Sequence, residues 1–195
     1  MPFSHGNRLP SDEKTVAAFY NLEHFFELSA DLFCIAGFDG YFRKINSSVC
    51  RVLGYTEEEL LSRKISSFVH PDDQDKTAQH RKELLNGSPL YHFENRYIKK
   101  DGSIIWLSWT CNSSVEDRLI YAVAKDITEN KQLQELLDKA NQLARIGSWE
   151  IDLTTNEVYW SAVTKQIHEV EENYVPDVET GILFYKEGES RTKIT

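Results

Sequence analysis

The spacing of apolar residues changes several times along this chain, and each change marks a predicted element. Leu32 to Ala36 is a short apolar run and Tyr41 to Ile45 alternates, with Gly37 to Gly40 between them. Asp39-Gly40 supplies the positive-φ residue of a tight turn, so the stretch predicts two strands joined as a hairpin. After Ile45 the apolar positions fall at Val49, Val52 and Leu53, a helical period. Asn46 or Ser47 is placed to cap the first turn of that helix and Gly54 to end it.

Upstream, residues 1 to 10 carry Gly6, Asn7 and Pro10 and predict a flexible leader. Ser11 is placed to cap a helix whose first turn holds Asp12 and Glu13, and Val16, Phe19, Leu22 and Phe26 give it one apolar stripe. Downstream, Thr56 with Glu59 forms a capping box. Pro71 can open a further helix, from about Asp72 to Leu85, that stops at Asn86-Gly87.

Three strands follow. Leu90 to Lys99 alternates, with Tyr91, Phe93, Asn95 and Tyr97 on one face. Lys100-Asp101-Gly102 is a turn, and Ile104 to Ser113 shows Ile105, Leu107, Trp109 and Cys111 on one side. Leu119 to Lys125 is the last strand, with Ile120, Ala122 and Ala124 assigned to the core. Two strands, short helices and a three-stranded meander predict an α+β fold, a five-stranded antiparallel sheet with short helices on one face. From Glu129, residues Leu133, Leu136 or Leu137, Ala140, Leu143 and Ala144 recur at heptad-like spacing in a further helix.

Several segments carry a resemblance. Leu53-Gly54-Tyr55 followed by Thr56-Glu57-Glu58-Glu59-Leu60, then Val69-His70-Pro71-Asp72-Asp73, stand in the order found in a PAS domain. Glu94-Asn95-Arg96, Lys100-Asp101-Gly102 with Trp106, and Asp126-Ile127-Thr128 are similar to the PAC half of that fold. The resemblance covers about residues 25 to 130. It implies an N-terminal leader and amphipathic helix over 1–24, a PAS domain with its PAC region over 25–129, and a linker or signalling helix over 130–145. Gly147-Ser148-Trp149-Glu150-Ile151-Asp152-Leu153 and Glu157-Val158-Tyr159-Trp160-Ser161, with Ile167 to Val170, resemble the opening of a second, incomplete PAS domain over 146–195.

The same resemblance implies a sensory module cut from a longer protein, with output through Asp126, Ile127 and Thr128. The company that tandem PAS domains keep points to a two-component sensor histidine kinase, although no phospho-acceptor His motif or ATP-binding domain stands in these residues. A ligand-free dimerisation scaffold, or the sensory part of a cyclic-dinucleotide enzyme or transcription regulator, are the alternatives. A homodimer through the helices Asp12 to Phe26 and Glu129 to Ala144 is expected. The first of these helices can instead only cover its own core, and the second can be a plain linker.

Composition narrows the rest. With 41% hydrophobic and 12% aromatic residues the chain can bury a core. A formal charge of -9 argues against a basic nucleic-acid-binding face. No apolar run approaches the roughly 20 residues of a membrane span, and no signal-peptide core follows Met1, so no membrane contact and a cytoplasmic location are expected. Cys34, Cys50 and Cys111 are widely separated among apolar neighbours, which favours buried reduced thiols over a disulfide or a metal site.

A catalytic reading finds little. His70 with Asp72 and Asp73 is the best cluster, but carboxylates at a helix start account for it, and no catalytic residue or metal ligand is assigned. PAS pockets can hold haem, flavin or small metabolites. The resemblance argues against the first two, because Cys50-Arg51 lacks the flanks of a light-sensing Cys and Thr77 stands where a haem-ligating His would be. His80 lies one turn later as the alternative ligand, but on a polar helix a lone His is expected to face solvent. The cofactor is therefore unknown. A small-molecule ligand would sit in a pocket lined by Phe33, Ile35, Asn46, Leu53, Phe68, Phe93, Asn95, Trp109 and Ile120, unless these bulky residues simply fill the core.

Overall fold

Two compact units divide between Glu129 and Asn130. The computed structural model describes residues 13–177, with side-chain environments from Asn21 onward. The expected leader, the Ser11 cap with Asp12, the side chains of Val16 and Phe19, and the end of the chain from residue 178 lie outside the described residues.

In the first unit, helix α1 (Glu13–Leu28) leads into strands β1 (Leu32–Gly37) and β2 (Phe42–Ile45). Gly40 turns the hairpin at φ 93°, where a Cβ would be strained. Helix α2 (Ser47–Leu53) ends at Gly54, which takes φ 77° and returns its N–H to the Cys50 carbonyl. Helix α3 (Glu57–Ser62) starts in a complete capping box between Thr56 and Glu59. The helix expected from Asp72 is divided into a 3-10 turn, Pro71–Asp73, and α4 (Gln74–Leu85). Strands β3 (Leu90–Ile98), β4 (Ile104–Ser114) and β5 (Leu119–Asp126) complete the meander.

All five strands pair antiparallel in the order β2-β1-β5-β4-β3. The first and last strands are therefore neighbours, with Leu32 opposite Ala124. Residues two apart share a sheet face, and Leu32, Cys34 and Ala36 of β1 join Ile120, Ala122 and Ala124 of β5 in the buried core. Helices α2, α3 and α4 pack on that face of the sheet.

Two expectations fail here. Phe33 and Ile35 have the opposite parity to the buried residues of β1 and lie on the outer face. Phe33 meets the rings of Phe25 and Phe26 from α1, at 6.0 and 5.9 Å between centroids. The end of α1 thus covers the outer sheet face. On β3 the register slips between Leu90 and Phe93, and His92 takes φ 53°. The irregularity reverses the phase of the first residues, so Leu90 turns inward and Tyr91, expected beside Phe93, is 60% exposed.

In the second unit, β6 (Trp149–Asp152) and β7 (Glu157–Trp160) form a hairpin, and α6 (Ala162–Ile167) follows with its Ser161 cap accepting from the Thr164 N–H. Trp160 is buried against His168 and Tyr174. Helix α5 (Thr128–Ala144) buries none of its residues and exposes Leu133, Leu136, Leu137 and Leu143.

Candidate functional site

Between the sheet and α4 lies a cavity of about 90 Å³. Its floor is built by inward residues of β1, β3, β4 and β5, and its wall by Thr77, His80, Arg81 and Leu84 of α4. Those four positions follow the i, i+3, i+4, i+7 rule for one helix face. Only one of them is apolar, which is why a search for hydrophobic periodicity passes over this face.

A chain of hydrogen bonds runs through the wall. Trp109 Nε1 donates to Asn95 Oδ1 at 2.9 Å, Asn95 Nδ2 donates to Thr77 Oγ1 at 3.0 Å, and Thr77 Oγ1 donates to the Asp73 carbonyl at 2.7 Å. Strands β4 and β3 and the start of α4 are joined by it. His80 was expected to face solvent; instead its ring stacks 4.6 Å from Phe93 and lines the cavity, with Nδ1 3.2 Å from Glu83 Oε2. Arg81 Nη2 donates to the Gly37 carbonyl at 2.9 Å.

The predicted pocket residues therefore divide. Phe93, Asn95, Trp109 and Ile120 line the cavity. Phe33 and Ile35 lie on the other sheet face. Leu53 and Phe68 are fully buried core residues away from the cavity wall. Asn46 sits at the N-cap of α2 without making a cap bond. Its amide donates to the carbonyls of Phe26 and Asp31, and its Oδ1 accepts from the Phe33 N–H. It is a fastener between α1 and β1. Cys34, Arg81 and Tyr97 are cavity residues that pattern reading missed; for Cys34 the buried, small-residue parity of Ala122 and Ala124 on the neighbouring strand was the available signal.

Burial governs the titration of the cavity lining. Desolvation pushes the Cys111 thiol up to about 12 and raises Cys34 and Tyr97 further, so all three stay protonated at neutral pH. Burial also lowers the Arg81 guanidinium from its ordinary value. Among the described residues no group of three or more His, Cys, Asp or Glu side chains is placed to hold a metal. Ligand pockets usually measure about 300 to 1,000 Å³, so this cavity is small for a ligand site.

The candidate cluster at His70 is structural. Its ring accepts weakly from the Asp72 N–H, and Asp73 is bound to Arg96 of β3. At the other end, Asp126, Ile127 and Thr128 form a knot. Trp106 N–H donates to Thr128 Oγ1 at 2.9 Å, Ile127 N–H donates to the Trp106 carbonyl at 3.0 Å, and Asp126 Oδ1 accepts from the Thr128 N–H at 2.9 Å.

With this geometry in place, a family model described as PAS fold matches residues 42–122. The chain carries a PAS domain. A solved PAS domain of an HTR-like protein from Haloarcula marismortui is 26% identical, with a TM-score of 0.52, and covers 58% of this chain and 95% of that one. Among curated proteins, a probable diguanylate cyclase of Escherichia coli is 28% identical over 163 residues, 77% of this chain and 15% of the relative. A sensor histidine kinase of Ectopseudomonas mendocina is 33% identical over 106 residues, 50% of this chain and 10% of the relative. The PAS domain is thus a sensory signalling module related to stretches of both kinds of protein. The chain spans only 15% and 10% of those two relatives. No helix among the described residues is long and apolar enough to cross a membrane.

Proposed function

We propose that residues 25–129 sense a small molecule on behalf of a larger cytoplasmic signalling protein and pass the response into α5. One observation carries this reading. Trp109 and Cys111 of β4 and Ile120 and Ala122 of β5 line the cavity, and the same two strands lead into the knot of Trp106, Ile127 and Thr128 at the start of α5. A ligand that favours one packing of the wall shifts the population of the helix geometry beyond it.

The effector outside this stretch is a histidine kinase or a diguanylate cyclase, and no catalytic step is assigned to the stretch itself. The exposed leucines of α5 support pairing with a second copy, together with α1. Hairpin and helix in their order support reading the stretch from residue 146 as the opening of a second PAS domain. Free cysteines throughout support a reducing compartment.

Thr128→Val tests the relay by removing the oxygen that accepts from Trp106. The sheet is expected to keep its amide-exchange protection while the start of α5 loses it, and the parent chain is expected to be a dimer by light scattering that the variant weakens. A monomeric parent at high concentration, with unchanged α5 protection in the variant, overturns the reading. The small cavity favours a second reading, a scaffold with no ligand, which native mass spectrometry showing only the bare chain mass would support.

A further inference from the structure

Tyr97 is only 3% exposed, its ring packs 5.6 Å from Trp109, and it lines the cavity. Its hydroxyl makes no hydrogen bond to any described residue. An unmade hydrogen bond in the interior costs more than one exchanged with water, and phenylalanine would fill the same space without that cost. On the same wall, Arg81 is half-buried, and among the described residues no carboxylate is paired with it. Only its bond to the Gly37 carbonyl is made, out of five N–H groups. Asp39, near enough to be felt, is ion-paired to Arg43. A buried phenol and a half-buried guanidinium thus line one small apolar space, with no carboxylate among the described residues bound to either.

Water would satisfy the phenol but leave the guanidinium without a counter-charge. A doubly charged anion would push its second charge onto apolar wall and neutral thiols. A single carboxylate answers both donors at once, through a charge-assisted bond from the guanidinium and a second from the phenol. The space fixes the length of the rest. About 90 Å³ is several times the roughly 10 to 15 Å³ that one water needs, which suits a chain of a few carbons.

We propose that this cavity binds a short monocarboxylate in the range of acetate to butyrate, its oxygens accepting from Tyr97 Oη and Arg81 and its alkyl end against Leu84, Phe93 and Ile120. The inference rests on the sensory reading above and names the class of molecule sensed. It assigns Tyr97 and Arg81 as the groups that recognise the ligand.

The test titrates the full chain with sodium propionate, with the neutral isostere propionamide, and with sodium chloride at matched ionic strength. Propionate is expected to raise the melting temperature saturably by several degrees, with no saturable rise from the other two. Tyr97→Phe is expected to fold and to weaken the apparent Kd at least tenfold. Arg81→Met is expected to abolish the propionate response; should it not fold, Tyr97→Phe decides alone. Equal stabilisation by propionamide, a propionate effect no larger than that of chloride, or unchanged binding in Tyr97→Phe overturns the inference. If propionate fails while Thr128→Val still releases α5, the sensory reading stands and the carboxylate falls.

Discussion

Asp73 Oδ2 accepts from both the backbone N–H of Arg96, at 2.7 Å, and its Nε, at 3.0 Å, while Oδ1 accepts from Nη2 at 2.6 Å. One carboxylate, 8% exposed, therefore locks the turn before α4 onto the middle of β3. Because α4 contributes Thr77, His80 and Arg81 to the cavity, this clasp fixes where they stand.

Asp73→Ala is expected to destabilise the PAS domain by about 2 to 3 kcal/mol, the usual effect of stripping charge-assisted bonds from a largely buried partner. The Arg96 hydrogen bonds and charge hold the Asp73 carboxyl below its ordinary value despite some desolvation. A depressed folded value means the unfolded chain binds the proton more readily. The contribution is thus present above an unfolded value of about 3.9 and is lost as pH falls below it. Urea unfolding of parent and variant at pH 7 and pH 3 checks this: the gap between them should narrow at the lower pH.

Asn46→Ala is expected to cost about 2 to 3 kcal/mol, because it leaves the Phe26 and Asp31 carbonyls and the Phe33 N–H without their buried partner. Asn46→Asp keeps the acceptor but turns a fully buried carboxylate oxygen toward the two carbonyls, and should cost at least as much as the alanine. Chemical denaturation of the two variants gives the ranking, and amide exchange should show α1 loosening before the sheet.

Cys50 is the partly exposed thiol, while Cys34 and Cys111 are buried. A thiol reagent at pH 8 is expected to label Cys50 in the folded protein and the other two only on unfolding. The raised thiol value of Cys111, about 12 through burial, means the folded state holds its proton more tightly than the unfolded chain. That stability is complete below an unfolded value of about 8.5 and is lost as pH rises above it. Thermal melts from pH 7 to pH 11 should therefore decline, and Cys111→Ser should flatten part of that decline.

Local chemistry makes much of this fold legible in the sequence. Asp39-Gly40 dictates the hairpin, Thr56 and Glu59 close a capping box, and Gly54 and Pro71 punctuate helices at the expected places. What misled was parity and partnership. Phe33 and Ile35 are the bulky members of β1, but α1 shelters them on the outer face while small Cys34 and Ala36 meet α4. Tyr91 follows the alternation of β3 until a register slip, encoded by no glycine or proline, turns it outward. Asp73 and Asn46 each have an adequate local role at a helix start, and the role they take is set by residues far away in the chain. Tyr97 was placed on the correct face, yet alternation cannot reveal that its hydroxyl finds no partner there.

The pairing of the first strand with the last has a mechanical consequence. With Leu32 opposite Ala124, the polypeptide enters and leaves by the same end of two antiparallel neighbours. Tension between the flanking segments therefore opens the rungs of that ladder one after another instead of shearing them together, so the domain yields to a modest pull along its own backbone.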